Sequence, residues 1–359
     1  MKDKFFKIVD KIYIKIYCLV NGFVYFIFSR KRTKKLSSLS RQEKLEIKKY
    51  WKKYRRIGLN INEYKWFRSK NKFDKRIIPE SIWHSDIEPH FNNVFLEKAF
   101  QDKNYYEFLI GKKNSPSTII HCINGQLLNE KYDAINTNEA MDIVNTQDEV
   151  ICKPSVGSGG GRSIKFIKEA MSLQDINNMI EYYSGNFLIQ KIIKQHKFIA
   201  SFNEDSVNTM RIITFLFKGE VHFIYGELRF VSKGSRLDNS AAGGDWVLIN
   251  KDGTLQKEFY KYDKNTTDMF VDKNIDLKVN RKMKVPNWDE VLKLVKKTHY
   301  RLSHFGIVYW DVTILENETP IIVEYNLLDS DAYAYQYGVG PFFGDLTDDV
   351  LNEIYLKRS

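Results

Sequence analysis

Residues 306–326, GIVYWDVTILENETPIIVEYN, read as a β-hairpin: two β-branched and aromatic runs flank a short polar turn. With a two-residue turn at Asn317-Glu318, Leu315 falls opposite Pro320 and Asp311 opposite Glu324. Asn326, two residues on, shares the face of Glu324. Two carboxylates and an amide then stand side by side. Like charges directly opposite one another destabilise a strand pair, so this face needs either a counter-charge or open solvent. An all-oxygen set suits a hard cation. Mg²⁺ fits best, because it binds through one or two carboxylates and completes its shell with substrate phosphates. Asp311, Glu324 and Asn326 are therefore the expected metal ligands, with Mn²⁺ as a second candidate ion. A solvated charged face is the plain alternative.

Upstream, residues 150–167, VICKPSVGSGGGRSIKFI, read strand, glycine loop, strand. Pro154 ends the first run, and Ile164 to Ile167 is extended again. Gly157, Gly159, Gly160 and Gly161 make the loop, which also carries Ser158 and Ser163. No GKS or GKT ending follows and no helix opens on the glycines, so this is neither a Walker loop nor a dinucleotide fingerprint. A glycine hairpin can still fold its N–H groups over phosphates. Lys153, at its base, would add a point charge. A surface hairpin without a ligand is the alternative.

The 359 residues allow two or three domains with a real core. Residues 1–76 hold 24 Lys and Arg against 6 Asp and Glu, and the remainder 32 against 39. A basic arm is thus attached to a mildly acidic body. The acidic body disfavours a basic nucleic-acid binder, and no nucleic-acid motif is present. Cys18, Cys122 and Cys152 form no CxxC or zinc spacing. They suit a reduced, cytoplasmic chain, and Cys152 reads as a small buried strand residue.

Lys4, Lys7, Lys11 and Lys15 form one stripe of an N-terminal helix, and Phe5, Phe6, Ile8, Val9, Ile12, Tyr13 and Ile16 cover the rest. Residues 16–29 are uncharged, which is short for a membrane span. The basic run from Arg30 replaces a cleavage site. A basic, aromatic-rich amphipathic helix suits an anionic membrane surface, so peripheral attachment to the inner face of the cytoplasmic membrane is expected. Packing of this helix on the protein is the alternative. Residues 38–70 read as charged helices, with Ser40 and Glu43 as a capping box. Residues 285–306 form the clearest amphipathic helix, with Val291, Leu294, Val295, Thr298 and Leu302 on one face. Residues 257–284, rich in Lys, Asp and Asn, read as a loop or insertion.

From about residue 78 to 350 the chain resembles the ATP-grasp superfamily, and most closely its sugar-transfer-associated family, related to α-L-glutamate ligases. The resemblance lies in an ordered series of segments. IPESIWHSDIEPHFNN and DKNYYEFLIG are followed by KPSVGSGGGRS and FLIQKIIKQH. DSVNTMRIITF, GELRF, LDNSAAGGDWV and WDVTI…IIVEYN complete it. It implies an α+β ATP-grasp fold, two α+β subdomains sandwiching ATP, preceded by a helical region. The implied division is a membrane-proximal segment 1–36, a helical region 37–100, an N-terminal subdomain 101–190 and a C-terminal subdomain 191–359.

The resemblance also implies roles. Lys103 and Lys153 would hold the ATP phosphates, and Gln190 and the Lys191–Ile193 backbone the adenine. Asn208, Arg211 and Arg229 would act at the transferring phosphate. Asp238, Asn239, Gly243 and Gly244 would close over substrate. Where many relatives place acidic residues at the hinge and ribose, this chain has Gln190 and Lys191, then His196 and Lys197. His196 is thus a candidate ribose contact or an ordinary surface histidine.

The implied activity is an ATP- and magnesium-dependent ligase that joins a carboxylate to an amine or hydroxyl through an acyl phosphate. Its substrate would be a small-molecule or lipid-linked glycan precursor in surface-polysaccharide synthesis. A sugar phosphotransferase and a non-catalytic nucleotide-binding scaffold are the rivals.

Overall fold

Two antiparallel sheets, connected through residues 192–208, carry the structure. The computed structural model describes residues 2–54, 59–157, 163–231, 244–263, 268–272, 283–328 and 330–357. The smaller sheet contains β1 (Thr118–Ile123), β2 (Gln126–Asn129), β3 (Val150–Pro154), β4 (Lys165–Ile167) and β5 (Phe187–Lys191) in the order β2-β1-β5-β3-β4. Helices Thr137–Asn145 and Leu173–Tyr182 pack on it, each opened by a capping box. As the sequence pattern anticipates, β3 and β4 pair across the glycine loop, Val150 with Ile167 and Cys152 with Lys165.

The larger sheet contains β6 (Thr209–Phe217), β7 (Glu220–Phe230), β8 (Asp245–Ile249), β9 (Leu255–Asp263), β10 (Asp268–Asp272), β11 (Ile307–Ile314) and β12 (Pro320–Asn326). Their order is β10-β9-β8-β7-β6-β11-β12. Residues 255–272, mostly expected as loop, thus contain two strands. Irregular burial explains the miss: Lys257 and Glu258 both face solvent while the adjacent Phe259 and Tyr260 are both buried, so no period-two pattern marks the strand. Charge on an outer strand also discourages edge-to-edge pairing.

Period-two alternation divides the side chains of the large sheet between two cores. On one face Met210, Ile212, Val308, Trp310 and Val312 meet the helix Trp288–His299, whose Trp288, Val291, Val295 and Thr298 are buried. Gly253, at φ +87°, lets Trp288 sit so close that a Cβ there would lie 2.5 Å from the indole. On the other face Ile213, Phe215, Tyr225, Tyr309 and Trp246 share a core with the N-terminal helical region. That region comprises α1 (Lys2–Thr33), α2 (Arg41–Trp51), α3 (Glu63–Ser69) and short helical turns from Glu80 to Phe91. The expected capping box opens α2: Ser40 N–H donates to Glu43 Oε2 (2.6 Å) and Glu43 N–H to Ser40 Oγ (3.1 Å).

The decisive hairpin keeps its expected pair, Asp311 opposite Glu324, by a different route. Leu315 N–H donates to Thr319 O (2.9 Å) and Glu318 N–H to Leu315 O (2.8 Å), with Glu318 at φ +67°. The loop therefore holds three residues, not two, and Ile314 pairs with Pro320. A bulge between Asp311 and Val312, with Val323 as the extra residue on β12, shifts the register back by one. The two offsets cancel at Asp311 and Glu324.

α1 is longer than its uncharged stretch suggested. Phe6–Thr33 is long and apolar enough to cross a membrane, with a mean hydropathy of 1.6. One stripe packs on the protein: Tyr25 stacks on His84 (3.6 Å between centroids), Gly22 lies against Ser85, and Ser29 and Thr33 are buried. Phe6, Ile12, Ile16, Leu19 and Phe23 stay exposed.

Buried Asn92 closes the open end of the hairpin. Its Nδ2 donates to Ile307 O (2.8 Å) and to Leu327 O, and its Oδ1 accepts from Ile307 N–H (2.9 Å). Asn92→Leu strands these buried backbone groups. Each costs about 1–3 kcal/mol, so urea denaturation should show a loss of roughly 2–5 kcal/mol. A loss under ~0.5 kcal/mol would mean that surface-level tolerance applies and that the clasp is dispensable.

Candidate active site

The site is built on a row of charges that crosses four adjacent strands. Glu227 on β7 pairs with Arg211 on β6, Arg211 with Asp311 on β11, and Asp311 with Glu324 on β12. Cross-strand partners share a face, so acid, base, acid and acid stand side by side. The Arg211 guanidinium holds Asp311 through two bonds, Nε to Oδ1 (2.6 Å) and Nη2 to Oδ2 (3.1 Å). Its Nη1 donates to Tyr335 Oη (3.0 Å). Arg229 reaches the same carboxylate, Nη2 to Oδ1 (2.8 Å), and also donates to Thr209 Oγ1 (2.7 Å). The counter-charge that the hairpin face requires is thus basic side chains. The residue expected to bind metal and the two expected to bind phosphate neutralise one another.

Lys103 completes this neutralisation from the other sheet's side. Asp102 caps the short turn Lys103–Tyr105, and Lys103 N–H donates to Ser155 O (3.0 Å). From there its buried Nζ lies 2.9 Å from Glu324 Oε1. Lys153 projects from β3, also buried.

A cavity of about 370 Å³ lies between the sheets. Ile151, Lys153, Phe166 and Gln190 line it from the small sheet, Ile192 to Gln195 at the hinge, and Thr209, Arg229, Asp311 and Glu324 from the large one. The apolar side fits a flat ring and the charged end fits anions. Lys191 and Ile193 border the same space, and Gln190 Nε2 donates to Thr118 Oγ1 (3.0 Å).

Burial alone would raise the Asp311 carboxyl, but Arg211 and Arg229 overcome it and hold it below its ordinary value. Burial raises Glu227 against the pull of Arg229 and Arg211. Burial and then the neighbouring Lys103 push the Lys153 ammonium down to about 8, partly offset by Glu324. Lys153 and Arg229 thus line the charged end of the cavity beside Asp311 and Glu324, with Arg211 and Lys103 bonded to those carboxylates, an arrangement that favours a polyanion.

The donor set fits a hard cation carried by such a polyanion. Asp311 and Glu324 are direct partners and both face the cavity. Asn326 lies opposite Tyr309, half-buried and beside rather than in the cavity lining.

Other expected site residues are placed differently. Asn208 is buried beneath the hinge, with Nδ2 donating to Ile199 O (2.9 Å) and Asn203 O (2.8 Å). Its amide is spent on folding that loop and does not line the cavity. His196 caps the turn Lys197–Ala200, its Nδ1 accepting from Phe198 N–H (3.1 Å). The rim there carries Glu204 and Asp205 instead, eight and nine residues further on. Gly157 (φ +66°) and Ser163 border a separate shallow cavity beside Tyr183. Gly244 is buried at the start of β8. Ser158, Gly159, Gly160, Gly161, Asp238, Asn239 and Gly243 lie outside the described residues.

Sequence reasoning missed Glu227, although it carried the signal that singled out Arg211, a charge inside an apolar strand run. It also missed Tyr335, whose role no local pattern marks.

A family profile described as sugar-transfer associated ATP-grasp matches residues 84–338. No curated protein matches the sequence. Among similar solved structures, an L-amino acid ligase from Bacillus licheniformis is 12% identical, with 71% of this chain aligned to 47% of that one at a TM-score of 0.41. A D-alanine–D-alanine ligase from Bacillus anthracis is 13% identical, with 72% aligned to 67% at 0.40. The biotin carboxylase domain of a Hydrogenobacter thermophilus 2-oxoglutarate carboxylase, in complex with MgADP, is 14% identical, with 72% aligned to 46% at 0.39. The chain spans about half the length of the first of these. The profile match covers well over half the chain and takes in both sheets and the whole charged row: the chain belongs to the sugar-transfer associated ATP-grasp family.

Proposed function

We propose that this protein is an ATP- and Mg²⁺-dependent ligase that joins a carboxylate to an amine or hydroxyl of a glycan precursor. The observation that carries this is the cavity between the sheets, apolar at the hinge and lined by Lys153, Arg229, Asp311 and Glu324 at its charged end. In the proposed reaction a substrate carboxylate oxygen attacks the γ-phosphorus of ATP, and the bond to the ADP oxygen breaks. The amine or hydroxyl then attacks the acyl carbon, expelling phosphate and losing a proton. No protein nucleophile is needed, so catalysis rests on positioning and charge.

Lys153 and Lys103 would face the α- and β-phosphates, and the hinge backbone the adenine. Glu204 and Asp205, at the rim, would accept from the ribose hydroxyls. Arg211 and Arg229, planar forks already fixed by Asp311, would bind the transferring phosphoryl group and the acyl phosphate. Asp311, Glu324 and Asn326 would hold Mg²⁺, which when bound offsets phosphate charge.

The exposed apolar side of α1 supports attachment to the inner face of the cytoplasmic membrane, where lipid-linked glycan precursors would be met. Its packed stripe runs along the folded body from Ile14 to Thr33, which favours an in-plane helix over one that stands clear and spans.

Three outcomes test this. With a panel of amine and hydroxyl acceptors, wild-type protein should form ADP, free phosphate and an amide or ester product. Glu324→Gln should lower that turnover at least ~100-fold with its melting temperature near wild type. A product that retains the phosphate identifies a phosphotransferase instead, and unchanged turnover in the variant refutes the metal assignment.

Lys153 is charged below its value of about 8 and neutral above it. Its charged fraction falls from about nine-tenths at pH 7 to about one-tenth at pH 9. MgADP affinity measured by calorimetry should weaken across that interval, and Lys153→Arg should flatten the dependence. A flat wild-type profile would remove Lys153 from the phosphate site.

In flotation assays the full chain should rise with phosphatidylglycerol vesicles and much less with phosphatidylcholine ones. Leu19→Glu with Phe23→Glu should weaken this. Equal sedimentation with and without vesicles would exclude the membrane role.

A further inference from the structure

Glu80, His84 and Asp331 form a second cluster, apart from the residues that line the cavity. Glu80 and His84 are one helical turn apart, and Glu88 follows one turn later. The turn that carries His84, Trp83–Ile87, is π-helical, a geometry uncommon outside functional segments. Asp331 comes from the chain five residues beyond Asn326. One ligand atom from each of Glu80, His84 and Asp331 lies within 4.8 Å of the others.

Three observations point to an ion among them. First, His84 is held as a metal-ligating histidine is held. Its ring is fully buried under Tyr25, and its Nδ1 lies 3.1 Å from Glu88 Oε2. A carboxylate on one ring nitrogen fixes the tautomer and leaves the other lone pair free to coordinate. Second, that other atom, Nε2, faces Glu80 Oε2 at 3.3 Å, an ion-pair distance without hydrogen-bond geometry. Both residues are essentially inaccessible, at 0% and 1% exposure. Donor atoms buried this close together without hydrogen-bond geometry are spaced as two ligands of one ion are. Third, Asp331 sits at the N-cap of the helix Ala332–Val339, but its side chain makes no cap bond. Its carboxylate is turned to the cluster instead of to the helix N–H groups that a capping aspartate normally serves.

Further charged groups surround the cluster. Glu63, Glu80, Glu88 and Asp331 surround the site, and Glu63 accepts from Glu80 N–H (2.6 Å). The facing basic groups are His84 and Arg32, the latter stacked on the Tyr333 ring at 3.5 Å.

We propose that Glu80, His84 and Asp331 bind one divalent transition-metal ion, of the zinc or manganese class, at a site separate from the nucleotide cavity. One imidazole and two carboxylates select such an ion over magnesium or calcium, which prefer oxygen alone. Tetrahedral donors bonded at about 2.1 Å lie about 3.4 Å apart; His84 Nε2 and Glu80 Oε2, at 3.3 Å, already meet this, and the Asp331 carboxylate would close the remaining gap. Exposed Asp331 leaves an outer position for water. The ion would tie the helical turn under α1 to the chain that leaves β12. That chain continues into the helix whose Tyr335 holds Arg211, so the ion is a positioning element for the charged row.

The test uses the full, untagged chain. After EDTA treatment and exchange into buffer with excess Mg²⁺, it is titrated with ZnCl₂ and with MnCl₂, with bound metal read by plasma mass spectrometry and melting temperature followed in parallel. One equivalent of zinc or manganese should bind and raise the melting temperature. Asp331→Asn and His84→Ala should weaken binding roughly 10–100-fold, while Glu324→Gln should retain it. If His84→Ala fails to fold, Asp331→Asn, altered only at an exposed carboxylate, decides alone. Absence of a bound equivalent for both metals overturns the proposal. So does loss of binding in Glu324→Gln with retention in Asp331→Asn, which would place the ion in the nucleotide cavity. Neither result bears on ligase activity, which Glu324 and the acceptor assay test independently.

Discussion

The bidentate pair between Arg211 and Asp311 is the constraint around which the rest is arranged. β11 is buried along its whole length, and a lone carboxylate in such a strand would protonate or unfold it. Asp311 stays ionised because two arginines hold it. The pair adds little stability over an apolar alternative, since desolvation cancels much of the attraction. Removing one partner is different, because it strands a buried charge at a cost of about 3–5 kcal/mol. What the pair supplies is placement. Arg211 is fixed by Asp311 on one side and Tyr335 on the other, so its fork is set before any ligand arrives.

That placement draws distant parts of the chain together. Lys103 approaches Glu324 from a segment anchored to Ser155, next to the glycine loop. Asn92 fastens both ends of the hairpin, and the helix Ala332–Val339 supplies Tyr335. The N-terminal helical region shares a core with the large sheet on the face that carries the charged row, so it abuts the row along that face. Where that apolar face ends, the charged row begins, and the cavity opens at the boundary.

Parts of this were legible locally. The capping box of Ser40 and Glu43, the hairpin of β3 and β4 and the amphipathic helix over Trp288–His299 each depend on residues within a few positions of one another. The pairing of Asp311 with Glu324 was legible for a less secure reason: a longer loop and a bulge displaced the register in opposite directions. Asn208 and His196 show the limit of motif reading. Each has the right chemistry and a plausible place in the series, but local backbone groups consume its hydrogen-bonding capacity. Glu227 was in view and passed over, because one strand cannot reveal which of its charges will lie beside an arginine on the next.

The sequence by itself determined the elements and the chemistry available: strands with charges embedded in apolar runs, a glycine loop after a lysine, and an ordered set of segments that marks the family. These follow from periodicity, turn chemistry and residue type, all of which act over short distances. Only the tertiary structure decided which charge meets which. Arg211 and Asp311 are a hundred positions apart, and Glu80 and Asp331 still further. Their encounter depends on strand order, register and helix packing, which arise from the burial of two cores and not from any local signal.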